Sequence, residues 1–142
     1  MSRRVIDASV GVKWFFPESG WAEARGLRGK DIEAIVPDSF FGEVGSAVLK
    51  KLRRGQVTVA QAAQAMEELR QAPVIAVPVR PYVLGGFHIA REIGESIYDG
   101  VYVAVADAHE CQVVTADREL VQAVAGTPWE GRVVALGDLP EG

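Results

Sequence analysis

The sequence has 142 residues, of which 49% are hydrophobic and 24% are charged, and its formal net charge is -4 at pH 7. This length is enough to bury a core without disulfide bonds, and the composition excludes an intrinsically disordered chain. The 15 basic residues against 19 acidic ones also exclude a protein that binds nucleic acid through bulk positive charge alone. We therefore predict one globular domain over residues 1–142, with a frayed tail over residues 137–142.

The first residues of the chain do not form a pattern typical of a secretory signal. Asp7 appears before any apolar signal core could form, and no apolar run approaches membrane-spanning length. The single cysteine, Cys111, lies within an apolar run and cannot form an intramolecular disulfide. A buried thiol is typical of a protein in a reducing compartment. We therefore expect a cytoplasmic protein with no membrane partner.

Short apolar runs along the chain predict the strands of a sheet. The runs are rich in Val and Ile and show little alternation, which is typical of parallel strands covered on both faces. Because such strands need helices against both faces of the sheet, helical patterns are expected between them. In chain order the predicted strands are residues 4–6, 34–36, 74–77, 111–115 and 132–136.

Helical patterns fill the segments between these strands. Apolar residues recur at helical spacing over 40–52 and 59–69, and Thr58 and Gln61 form a capping-box pattern before the second of these helices. Two further helices are predicted between the third and fourth strands, over residues 82–93 and 101–109. The order of elements predicts an α/β fold, in which a mainly parallel central sheet of about five strands is flanked by helices in a single domain.

Four acidic residues fall where a parallel sheet gathers its functional groups. Asp7 follows the first strand, Asp117 follows the fourth strand, Glu43 lies on the apolar edge of a helix, and Asp99 begins the helix before the fourth strand. Functional groups collect beyond the carboxyl ends of parallel strands, so these four can converge. Converging carboxylates repel one another unless cations neutralise them. Mg²⁺ or Mn²⁺, as one or two ions per site, would meet that need and activate a water against a phosphodiester.

Four short strings in the sequence resemble the acidic motifs of the PIN domain. They come in the family's order and span nearly the whole chain. Each string alone is short and common, whereas the four together, each in its expected element, form a specific pattern. The strings are VIDAS at residues 5–9, EVGSAV at 43–48, YDGVYVAVA at 98–106 and VTADREL at 114–120.

The resemblance implies a PIN-like fold and a divalent-metal-dependent endoribonuclease, most similar to the VapC toxins of type II toxin-antitoxin pairs. Its substrate would be single-stranded or loop RNA, whether tRNA, rRNA or mRNA. Its protein partners would be a cognate VapB-like antitoxin and a second copy of itself in a homodimer. A housekeeping PIN nuclease of RNA processing would carry the same motifs. The rivals from other classes are a catalytically silent PIN-fold binding module and a receiver-like phosphoacceptor domain.

The resemblance also assigns roles to residues of this sequence. Ser9 and Thr115 would be polar supports of the acidic pocket, and Gly100 stands where relatives often have alanine, which we expect to be a mild departure. The catalytic and metal-binding quartet would be Asp7, Glu43, Asp99 and Asp117.

Several of these acids also have a purely structural interpretation. Asp7 and Asp117 could be N-caps of the helices that follow them, and Ser96 with Asp99 resembles a capping box. Asp38 precedes a helix and is predicted to cap it. Glu43 is harder to explain in this way, because a helix edge that faces the core seldom carries a carboxylate without a partner.

Large aromatic residues crowd a short segment around Pro17. Ordinary packing in the core is one interpretation. The other is an exposed apolar groove for a partner helix, which would suit an amphipathic segment of an antitoxin. The candidate groove residues are Trp14, Phe15, Phe16 and Trp21.

Overall fold

The sheet has five strands that all run in the same direction. A computed structural model describes residues 2–29 and 31–139, and within them the strand order is β3-β2-β1-β4-β5, with every neighbouring pair parallel. The predicted α/β fold and all five predicted strands are confirmed. The strands are β1 Ser2–Ile6, β2 Ile32–Pro37, β3 Ile75–Val77, β4 Gln112–Thr115 and β5 Val133–Ala135.

Helices cover both faces of the sheet. Thr58 accepts a hydrogen bond from the backbone N–H of Gln61, and the Gln61 side chain accepts one from the Thr58 N–H, so the predicted capping box is present. The α-helices are α1 Ala8–Gly11, α2 Trp21–Gly26, α3 Phe40–Arg53, α4 Val59–Arg70, α5 Val83–Ile93, α6 Ile97–Ala108 and α7 Arg118–Ala123. Within the described residues, no helix is long and apolar enough to cross a membrane.

The core consists of two apolar clusters, one on each face of the sheet. Successive strand residues point to opposite faces, and accordingly Ile6 packs with helices α1 to α4 whereas Val5 packs with α5, α6 and α7. Both residues are fully buried. Coverage on both faces explains why the strands contain unbroken apolar runs rather than alternating patterns.

Two glycines allow helices α5 and α6 to approach closely. A Cβ atom built on Gly100 would collide with the Gly86 carbonyl oxygen and lie 2.9 Å from the Ala90 Cβ atom. A Cβ atom on Gly86 would lie 2.8 Å from Cγ2 of Val101. The expectation that Gly100 is a mild departure from alanine is therefore wrong, because this helix crossing leaves no room for a methyl group. The crossing also fixes the start of α6, where Asp99 lies.

One further expectation, for Asp38, differs from the structure. Asp38 does not occupy the N-cap of α3, which is Ser39; its carboxylate instead accepts a hydrogen bond from the Val79 N–H, because the chain after β3 passes beside it. The predicted frayed tail begins within a short 3₁₀ helix, Leu136–Asp138, and Asp138 pairs with Arg118 at 3.1 Å. Residues 140–142 of that tail lie outside the described residues.

Candidate active site

Asp7 lies at the carboxyl end of β1 and is almost completely buried, with 6% of its surface exposed. Its Oδ2 atom accepts hydrogen bonds from the Ser9 and Thr115 hydroxyls, each at 2.7 Å. The Asp7 side chain makes no capping hydrogen bond to α1 within the described chain. The Asp7 side chain therefore does not cap α1. Ser9 and Thr115, which the sequence predicts as polar supports, contact Asp7 directly.

The two hydroxyls that bind Asp7 are themselves held by the backbone after β4. The Ser9 Oγ atom accepts a hydrogen bond from the Ala116 N–H at 3.0 Å, and the Thr115 Oγ1 atom accepts one from the Asp117 N–H at 3.0 Å. Each hydroxyl thus accepts a hydrogen bond from a backbone N–H and donates one to Asp7. This arrangement joins the carboxyl ends of the two central strands.

Glu43 lies on the first turn of α3, and it is held by two hydroxyls from different elements. Its Oε2 atom accepts hydrogen bonds from Ser39, one turn earlier, and from Tyr102 of α6, each at 3.1 Å. Tyr102 is fully buried and was missed by the sequence analysis. The available signal was its spacing, because three residues after Asp99 on a helix is the same face, one turn further on.

Asp99 and Asp117 lie at the starts of helices. Asp117 caps α7 by accepting a hydrogen bond from the Glu119 N–H at 2.9 Å, so its structural interpretation is confirmed. The Ser96 hydroxyl caps α6 by accepting a hydrogen bond from the Asp99 N–H at 3.1 Å. The second bond of a capping box, in which the Asp99 carboxylate would accept a hydrogen bond from the Ser96 N–H, is not present among the hydrogen bonds of the described residues.

Burial and the charges of neighbouring acids raise the pKa of three of the four carboxyl groups, those of Asp7, Glu43 and Asp99. Burial raises the pKa of Asp7, and the charge of Asp117 raises it further against the opposing hydroxyl bonds. Burial also raises the pKa of Glu43, with smaller contributions from Asp7 and Asp99. The pKa of Asp99 rises to about 6, first through burial and then through the charge of Asp7. Burial and the neighbouring Glu43 carboxylate raise the pKa of Tyr102.

The donor set fits a hard divalent cation. All four side chains offer carboxylate oxygens, which Mg²⁺ and Mn²⁺ prefer, and a bound cation would relieve the repulsion between their negative charges. No three His, Cys, Asp or Glu side chains among residues 2–29 and 31–139 already form a group that could hold a metal ion.

The aromatic segment around Pro17 does not form one exposed groove. Trp14 is fully buried, packs against Phe40 and donates a hydrogen bond from Nε1 to the Ala24 carbonyl at 2.7 Å. Its assignment to a partner groove is therefore wrong, because this indole belongs to the core. Phe15 and Phe16 are half-buried beside a cavity of about 360 Å³ that faces α4.

Trp21, the fourth of the aromatic residues considered for a groove, lies apart from that cavity. It begins α2, is 37% exposed and is covered by the guanidinium group of Arg25, which lies 5.3 Å from the centre of its ring. Trp21 therefore makes a cation–π contact at the surface. The four aromatics thus occupy three different environments.

The five-stranded parallel fold agrees with comparisons to known proteins. The profile of the PIN domain matches residues 4–126. The chain belongs to the PIN-domain family. This membership confirms the predicted family and excludes the receiver-like alternative.

Relatives place the chain near the VapC proteins within that family. Ribonuclease VapC3 from Mycobacterium tuberculosis is 31% identical over 119 residues, which cover 84% of this chain and 85% of the relative. The crystal structure of PAE2754 from Pyrobaculum aerophilum shares the fold with a TM-score of 0.70 at 22% identity, covering 96% of this chain and 85% of that one. A toxin-antitoxin complex from Klebsiella pneumoniae gives a TM-score of 0.64 at 17% identity, covering 94% of this chain and 97% of the matched chain. The VapC-like resemblance predicted from the motifs is confirmed.

Proposed function

We propose that this protein is a divalent-metal-dependent endoribonuclease and the VapC-like toxin of a type II toxin-antitoxin pair. The observation that carries the proposal is the buried Asp7 carboxylate, held by two hydroxyls at the centre of four mutually repelling acids. Burying such a group is costly, so the fold retains it for a purpose other than stability. The kinship with a protein named as a ribonuclease supports RNA as the substrate.

The residues of the quartet would hold one or two Mg²⁺ or Mn²⁺ ions. When bound, a divalent ion neutralises charge on the phosphate and lowers the pKa of a water. Ser9 and Thr115 orient Asp7 by bonding one of its oxygens. The helix starts bring Asp99 and Asp117 to the same edge of the sheet, where RNA would enter. The ligand set is Asp7, Glu43, Asp99 and Asp117.

A cleavage assay with matched variants tests this function. The purified chain is incubated with tRNA, rRNA or an mRNA transcript, in Mg²⁺ or Mn²⁺ and in a chelator. We expect Asp7→Asn and Asp99→Asn to lose cleavage by at least about 100-fold, since each loses a charged oxygen ligand. Asp107→Asn is the control, because Asp107 lies on the same helix as Asp99 but is exposed and pairs with Arg132. Cleavage by Asp99→Asn at the wild-type rate would refute the site, and a wild-type chain that cleaves no RNA would favour the silent binding module.

We propose that the antitoxin covers the apolar groove between α3 and α4. This groove has a volume of about 520 Å³ and contains several apolar side chains that are unusually exposed for their size. Leu49 is 47% exposed, Val59 is 72% exposed and Met66 is 39% exposed. Phe15 and Phe16 line the cavity against the other edge of α4, so a partner helix that follows α4 would contact both regions.

Coexpression with the flanking reading frames tests the antitoxin and separates a toxin from a housekeeping nuclease. A toxin should form a complex with a small protein encoded beside it, and that complex should not cleave RNA. Leu49→Lys should weaken the complex by about 2 kcal/mol or more, because it places a charge in the apolar groove. Ile75→Lys is the matched control, since Ile75 is equally exposed at 48% on the edge strand β3. A chain that forms no such complex is a housekeeping nuclease.

We further propose that the chain forms a homodimer and acts in the cytoplasm. The starts of α5 and α6 carry a second set of exposed apolar residues, among them Leu84 at 69%, Phe87 at 53% and Tyr98 at 54%. Apolar patches of this kind seldom stay uncovered. Sedimentation of the chain alone measures its oligomeric state, and a monomer at micromolar concentration would refute the homodimer.

The proposed location in the cytoplasm is supported by the buried thiol of Cys111, which suits a reducing compartment.

A further inference from the structure

The two hydroxyls that contact Glu43 meet at the same oxygen. Ser39 Oγ and the Tyr102 hydroxyl each donate to Oε2 at 3.1 Å. No hydrogen bond reaches Oε1 of Glu43 in the part of the chain that the structure describes. The carboxylate therefore has one fixed oxygen and one oxygen open to a ligand.

The Ser39 hydroxyl donates a hydrogen bond to Glu43, although a serine at this position usually caps the helix. Ser39 is the N-cap residue of α3, where a serine hydroxyl normally accepts a hydrogen bond from a backbone N–H of the first turn. Within the described residues the Ser39 side chain makes no such capping bond. Its hydroxyl is committed to Glu43, four residues further along the helix.

Tyr102 reaches Glu43 from the other side of the site. Its side chain is fully buried, and burying a phenol hydroxyl without a partner is costly, so this group depends on the Glu43 carboxylate as its acceptor. Tyr102 lies one turn after Asp99 on α6, whereas Glu43 lies on α3. The contact therefore ties together the two helices that carry two acids of the quartet.

We propose that Tyr102 is a positioning residue for the nuclease reaction, which together with Ser39 fixes Oε2 of Glu43 and presents Oε1 to the divalent cation. This inference rests on the proposed function. It matches the arrangement at Asp7, where two hydroxyls also meet at one carboxylate oxygen. Both acids are thereby oriented before any cation binds, which reduces the cost of organising the site.

Metal titration of single and double variants tests this role. Thermal unfolding of the wild type, Tyr102→Phe, Ser39→Ala and the double variant is followed at increasing Mn²⁺ concentration. We expect each single variant to need about 10-fold more Mn²⁺ to reach half of the maximal rise in Tm. A loss of this size is typical when a residue that hydrogen-bonds to a metal ligand is removed. RNA cleavage should lose kcat with little change in KM. Ser39→Thr keeps a hydroxyl and should restore the wild-type midpoint, and Tyr82→Phe, which removes a phenol hydroxyl away from the quartet, is the control.

The outcomes separate this proposal from the proposed function. A wild type that Mn²⁺ does not stabilise would contradict the metal-dependent function itself. A wild type that responds to Mn²⁺, with Tyr102→Phe and Ser39→Ala responding at the same concentration, would overturn the positioning role alone. If Tyr102→Phe does not fold, Ser39→Ala decides the matter, because its loss removes no helix cap.

Discussion

Two pairs of acids in the site are positioned in different ways. Asp7 and Glu43 are each held by one serine hydroxyl nearby in the sequence and by a second hydroxyl from a distant part of the chain. Asp99 and Asp117 instead lie at helix starts, where the contacts are local and involve backbone N–H groups. One half of the site therefore depends on tertiary packing, whereas the other half depends on where two helices begin.

The largest effect should follow from breaking the hydroxyl contacts of the first pair. Thr115→Val keeps the shape of a fully buried side chain but removes the donor to Asp7 and the acceptor for the Asp117 N–H. We expect cleavage to fall by about 10- to 100-fold and the free energy of unfolding to fall by about 1 to 3 kcal/mol. Steady-state kinetics and urea unfolding measure both quantities.

Thr127→Val is the control for that substitution. The Thr127 hydroxyl also donates a short hydrogen bond, at 2.6 Å, but to the Val124 carbonyl after α7 rather than to an acid of the quartet. We expect this variant to lose some stability and to keep its cleavage rate. Equal losses of activity in both variants would mean that the hydroxyl of Thr115 has no particular relation to Asp7.

A smaller effect should follow from disturbing the helix start that carries Asp99. In Gly100→Ala the new methyl group would meet the Gly86 carbonyl oxygen, so α5 and α6 must separate. We expect the free energy of unfolding to fall by about 1 to 3 kcal/mol, with a decrease in cleavage because Asp99 moves. Gly42→Ala should instead raise the free energy of unfolding, because alanine favours a helix over glycine and no described atom lies within 4 Å of a Cβ atom at that position. A neutral Gly100→Ala would show that the helices adjust freely.

The smallest effect concerns the pH dependence of the metal-free protein. The pKa of Asp99 is about 6 in the folded chain, against an ordinary value of 3.8. Because the folded state binds the Asp99 proton more tightly than the unfolded state, this proton stabilises the fold. The stabilisation is complete below about pH 3.8 and is lost as the pH rises through about 6. Allowing for solvent screening of a half-exposed group, we expect the chain to be about 1 kcal/mol more stable near pH 5 than near pH 7.5.

Two comparisons check the origin of this pH dependence. Asp99→Asn should flatten the profile of unfolding free energy against pH, since the amide does not titrate in this range. Saturating Mn²⁺ should flatten it as well, because a bound cation keeps the carboxyl groups ionised. A profile that is unchanged in Asp99→Asn would assign the dependence to other groups.

The comparison also explains how much of the protein could be predicted from its sequence. The strands and the acids at their ends were predictable because Val and Ile runs, helix caps and the PIN motifs are local patterns. Tyr102 was not, since its partner Glu43 is 59 residues away. The same limit applies to Trp14, whose burial depends on packing against Phe40, and to Asp38, which contacts Val79 across the chain.

The hydrogen bonds at Asp7 determine which of its oxygens can bind a proton. The Ser9 and Thr115 hydroxyls accept hydrogen bonds from backbone N–H groups, and each donates its single hydrogen to Oδ2 of Asp7. A proton taken up by Asp7 must therefore occupy Oδ1, the oxygen that remains for a cation. Acid and metal ions thus compete for a single atom, and the apparent affinity for Mn²⁺ should fall with decreasing pH as in simple competition.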